Sequence, residues 1–124
     1  VEYAILTDEI TRAWSGMNTR QYKRFKGLKK ENLRDNMSTT EIVLNMLAEA
    51  STKDISQAEA PETFAENQQV ARKGGEVAGI ARQALEARTG RPVITPQNAL
   101  DFHRLIEDVM EETAGLPETE KRSE

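Results

Sequence analysis

Seven cations crowd one short stretch of this chain: Arg20, Lys23, Arg24, Lys26, Lys29, Lys30 and Arg34, the last six within twelve residues. Tyr22 and Phe25 interleave with them. Cations on flexible stems neutralise phosphates, and aromatic rings stack on bases. The seven basic side chains are therefore the candidate nucleic-acid or partner contacts. The same composition also describes a solvated helix face with its rings turned inward. On that reading Tyr22, Phe25 and Leu28 belong to the core. Gly16 and Gly27 bracket the block, and glycine suits the left-handed conformation in which helices stop.

Other chemistry is sparse. Two short helices joined at Gly16 fit a helix-turn-helix, with Asp8–Trp14, a turn, and Thr19–Lys26 presenting Arg20, Gln21, Lys23 and Arg24 to a major groove. Gly74-Gly75-Glu76-Val77-Ala78-Gly79 echoes a phosphate loop but follows no strand and lacks the Gly-Lys-Ser/Thr ending, so a kink or small-residue packing site is expected. His103 is the single histidine and has no second ligand four residues away, which points to packing rather than a metal. Glu41, Glu111 and Glu112 form no acid–base or metal pattern, and no nucleophile elbow occurs. Met17, Met37, Met46 and Met110 read as core fillers. No catalytic residue, metal or cofactor is expected.

The 124 residues suffice for one domain. Apolar residues make up 37% and charged residues 31%, so a modest core must lie under a large solvated surface. The net charge of −4 is uneven. Residues 1–37 carry eight basic and five acidic side chains, for +3, and the remainder carries nine and sixteen, for −7. There is no cysteine, which excludes disulfides and thiolate chemistry and fits a reducing cytoplasm. No apolar run reaches the ~18 residues of a membrane span. The first residue is Val1, and the chain is expected to be a domain cut from a longer protein.

The elements that must position the cations read as helices. Thr7 is the expected cap of a first helix, with Asp8 and Glu9 in its first turn and Ile10, Ala13 and Trp14 buried. Asn18 or Thr19 caps a second helix ending near Gly27, and a third short piece covers Lys29 to Asn36. Ser38-Thr39-Thr40-Glu41 is a capping box opening a helix over about 39–52, with Ile42, Val43, Met46, Leu47 and Ala50 at helical spacing. Residues 51–60 read as a loop or irregular helix end. A helix over 61–89 starts at Pro61 and buries Phe64, Val70, Val77, Ile80, Ala81, Ala84 and Leu85. The last helix, over 96–113, has Thr95 as cap and Pro96 first. Its apolar face is Ala99, Phe102, His103, Ile106, Val109 and Met110. Residues 116–124 read as a disordered tail. The fold class is therefore all-α: one small domain over 1–115 with five or six helices in orthogonal or bundle-like packing. Its thin core favours homodimerisation.

Gly16-Met17 followed by Gly27-Leu28-Lys29-Lys30, then Asp35, Met37, Ser38, Thr40-Glu41-Ile42 and Asn45, resembles the C-terminal helical region of the DNA-damage-inducible protein D family. Val77, Arg82-Gln83, Gly90, Pro92 and Thr95-Pro96 extend the resemblance over roughly residues 3–98. Thr89-Gly90 stands where the family has a double glycine, and the proline run is shortened to Pro92–Pro96. The resemblance implies a bacterial protein of the SOS response, with an antirepressor-like N-terminal domain absent from this chain. It also implies association with the recombinase RecA on single-stranded DNA. The function expected is a non-enzymatic interaction module binding a recombinase or single-stranded DNA. The alternatives are a transcriptional or antirepressor module of phage or mobile-element origin that reads duplex DNA, and a structural dimerisation domain.

Overall fold

The computed structural model describes residues 2–114, with the side chains of all but residues 100–105. It is all-α. The described residues form α1 (Glu2–Ser15), α2 (Thr19–Phe25), a 3-10 turn at Arg34–Asn36, α3 (Thr39–Glu59), α4 (Phe64–Thr89) and α5 (Ala99–Ala114), with no strand among them.

The frame is an antiparallel hairpin of α3 and α4, with α1 laid into one of its two grooves. Small residues set the spacing. A Cβ on Gly74 would run into Thr52 of α3, and one on Gly75 would come within 2.6 Å of the Ile10 carbonyl oxygen of α1. On Gly79 it would stand 2.9 Å from the Ala13 carbonyl oxygen. The glycines thus let α4 approach both neighbours at backbone distance. This offsets the roughly 0.5–1 kcal/mol that each interior glycine costs a helix. No phosphate loop is built here; α4 runs unbroken through Gly74-Gly75.

The consequence is that α4 buries Val70, Ala71, Ala78 and its glycines, whereas Val77, Ile80 and Leu85 are exposed and so is Ala84. Of the expected face Val70 is buried and Phe64 and Ala81 are half-buried, and the other four positions are exposed because hydrophobic periodicity ranks valine and isoleucine above the glycine stripe that closeness requires. On α3, Leu44 and Ala48 are buried while Val43, Met46 and Leu47 are exposed, as is Ala50. The core proper is Trp14, Tyr22, Leu28, Leu33, Leu44, Ala48, Ala78 and Ile94, with Met17 and Met37 packed against it. Met46 and Met110 are exposed rather than core fillers.

Several boundaries shift for identifiable reasons. The first helix begins at Glu2, so Thr7 is interior and its hydroxyl donates to the Tyr3 carbonyl (2.9 Å). Residues 51–59 are regular helix despite their Ser, Thr and Asp content. Thr52 donates to the Ala48 carbonyl at 2.8 Å and leans on Gly74, so packing overrides propensity there. The cap of α4 is Thr63, accepting from the Glu66 N–H, and Pro61 lies outside the helix. The third short helix reduces to the 3-10 turn. The last helix starts at Ala99, whose N–H donates to Asn36 Oδ1 (2.9 Å), so a side chain from the 3-10 turn supplies the cap expected of Thr95. Ile106, Val109 and Met110 are exposed; the side chains of Phe102 and His103, and the tail at 116–124, lie outside the described residues.

Candidate anion-binding cleft

The basic block divides between a surface and an anchor. Asn18 opens α2 with a reciprocal capping box, accepting from the Gln21 N–H while Gln21 accepts from the Asn18 N–H. Gln21 is thereby tied into the cap. The Thr19 N–H donates to Asp8 Oδ1 at 3.2 Å, which holds the start of α2 against the middle of α1. The two helices then face each other with matched spacing. Tyr3, Ala4, Thr7 and Asp8 of α1 and Thr19, Arg20, Lys23 and Arg24 of α2 are each at i, i+1, i+4 and i+5. With Leu28 and Lys29 they line an open cleft of about 690 Å³.

The cleft therefore collects Arg20, Lys23, Arg24 and Lys29, against one carboxylate, Asp8. Tyr3 stands on its rim with 83% of its surface exposed. Such a site supplies charge for phosphates and a ring face for a base. Lys30 is exposed but does not line the cleft. Arg34 is drawn off into an ion pair with Glu49 (3.3 Å).

Lys26 is not a contact residue. It is 1% exposed, and its ammonium donates to Glu41 Oε1 (3.0 Å), the Thr95 carbonyl (2.9 Å) and the Gln97 carbonyl (2.8 Å). These three bonds use every proton an ammonium has. Glu41 is the acid of the Ser38 capping box: it accepts from the Ser38 N–H with Oε1 and from the Tyr22 hydroxyl with Oε2. Burial, and then the Glu41 carboxylate, push the Tyr22 hydroxyl far above its ordinary range. Trp14 closes the cluster, its ring 6.0 Å from that of Tyr22 and its N–H donating to Asn45 (3.2 Å). The network ties the end of α2 to the start of α3 and to the segment before α5. It thereby fixes the cleft wall formed by α2.

Tyr22 and Leu28 are core, as expected, but Phe25 is 45% exposed and borders a separate shallow pocket with Arg24, Gln21, Met17 and Gly16. Tyr3 is not marked by the sequence pattern because it lies seventeen residues before Arg20, the first cation of the basic block. Only the i, i+4 pairing of Tyr3 with Thr7 on a helix extended back to Glu2 would have aligned it with Arg20. Among the described residues no three His, Cys, Asp or Glu side chains come together to hold a metal ion, and no helix is long and apolar enough to cross a membrane. In comparisons with known proteins, no family model, no curated protein and no solved structure matches this chain.

Proposed function

We propose that this chain is a non-enzymatic helical module that binds single-stranded nucleic acid, free or held on a recombinase filament, through the α1–α2 cleft. One observation carries the reading: a chain of net charge −4 gathers four cations and an exposed tyrosine around a single cleft with only one carboxylate. A single strand bends into such a cleft and offers an unstacked base to Tyr3. A duplex keeps its bases stacked and leaves the ring without a partner. The resemblance to the damage-inducible family supports the same class of partner in the bacterial cytoplasm. The test is fluorescence anisotropy with labelled oligothymidylate, competed by unlabelled single strand or duplex. Single strand should displace the probe at much lower concentration than duplex, and Tyr3→Ala should narrow that gap. Equal competition, or preference for one duplex sequence, would transfer the site to the antirepressor reading.

A further inference from the structure

The outer half of α5 covers nothing in its own chain. Residues 106–114 are all exposed, although the approach to the helix is held by Asn36 on the Ala99 N–H and by Lys26 on the Thr95 and Gln97 carbonyls. Its apolar stripe, Ile106, Val109 and Met110 at i, i+3 and i+4, is between 41% and 65% exposed. At about 100° per residue, Glu107 and Glu111 border that stripe on one side and Asp108 and Glu112 on the other. These carboxylates act against the helix that carries them. Glu107–Glu111 and Asp108–Glu112 are like-charge pairs at i, i+4. All four lie toward the negative end of the helix dipole, with no basic residue in the last turn. Helix stability therefore does not account for them, whereas a cationic groove would. We infer that α5 of a second copy of this chain occupies the α1–α2 cleft, the two copies exchanging α5 reciprocally in a homodimer.

Charge complementarity selects the occupant. The cleft gathers Arg20, Lys23, Arg24 and Lys29, and α5 offers four carboxylates. None of these eight groups is in an ion pair among the described residues. The cleft also repeats the self-repulsion of α5 with the opposite sign, because Arg20 and Arg24 are themselves at i, i+4. The apolar part of the cleft is the Tyr3 ring with Ala4 and Leu28. A helix seated with its stripe on these side chains brings a flanking row of carboxylates to the cations of the α2 wall. The helix comes from another copy because no described residue of α5 lines the cleft of its own chain, where the anchored approach to α5 holds it elsewhere. Reciprocal exchange fills both clefts, covers both stripes and closes the assembly at two chains. The cleft is the one proposed above for nucleic acid, but this pairing does not require nucleic acid to bind there.

Sedimentation velocity on the full chain, without nucleic acid, tests it. At about 100 µM and about 0.1 M salt the wild type should sediment as a dimer, and about 1 M salt should raise the dissociation constant by about tenfold or more. The variant Glu107→Lys/Asp108→Lys/Glu111→Lys/Glu112→Lys, with its changes confined to exposed positions, should be monomeric with an unchanged far-ultraviolet circular dichroism spectrum. The cleft variant Arg20→Glu/Arg24→Glu/Lys29→Glu should be monomeric too. Mixing the two variants should restore a dimer, because each α5 then meets a cleft of opposite charge in both halves of the exchange. A monomeric wild type, a dimer indifferent to salt or to either variant, or variants that fail to pair on mixing would each overturn the inference.

Discussion

The Lys26 ammonium and the Glu41 carboxylate are both fully buried; all three ammonium protons are donated within the protein and both carboxylate oxygens accept. Such a pair adds little net stability while intact, but removing one partner strands a charge, at a cost of about 3–5 kcal/mol. Lys26→Met should therefore lower the unfolding free energy from urea melts by that amount, while Lys30→Met, at an exposed position, should leave it unchanged. Tyr22 gives the network a pH signature. Its hydroxyl is held above the ordinary value of 10.0 in the folded protein. The stability it contributes is complete below pH 10 and is lost as pH rises above it, when only the unfolded chain gives up the proton. Stability should fall by about 1.4 kcal/mol per pH unit above ~10. Tyr22→Phe should remove that slope, which urea melts at two alkaline pH values would register. Lys26 was legible in the sequence only as one cation among seven. Its burial depends on Glu41, fifteen residues away, and on two carbonyls about seventy residues away, and no local pattern encodes those distances.

At the scale of elements, local chemistry and packing divide the work. The caps at Asn18 and Ser38 were readable, because the residues that satisfy the first N–H groups lie within three positions of one another. The reach of α3 to Glu59 was not, because Ser51, Thr52 and Asp54 favour turns until α4 packs beside them. Its end is a strained one: Ala60 sits at φ 49°, ψ 60°, a conformation that costs a side chain-bearing residue about 1–2 kcal/mol. Ala60→Gly should stabilise the fold by about 1 kcal/mol in thermal or urea melts. Gly75→Ala should do the reverse. Alanine gains about 1 kcal/mol of helix propensity, but its Cβ meets the backbone of α1 at 2.6 Å. The clash outweighs that gain, for a net loss of about 2 kcal/mol.

The whole molecule places different demands on different faces. α4 holds α1 through Gly75 and Gly79, and the basic first third of the chain opens a cleft between α1 and α2. The all-α class and the asymmetry of charge were legible from composition and periodicity. Helical spacing also put Arg20, Lys23 and Arg24 on one face, but that this face closes on α1 with Lys29 was not legible, because it follows from Asp8 holding the start of α2 beside α1. The most direct test of the cleft is the salt dependence of oligothymidylate binding. Four cations releasing counterions from a single strand should give a log–log slope of about −3. The variant Arg20→Glu/Arg24→Glu/Lys29→Glu should abolish binding without loss of fold. A slope near zero in the wild type, or a variant that binds as tightly, would contradict the account.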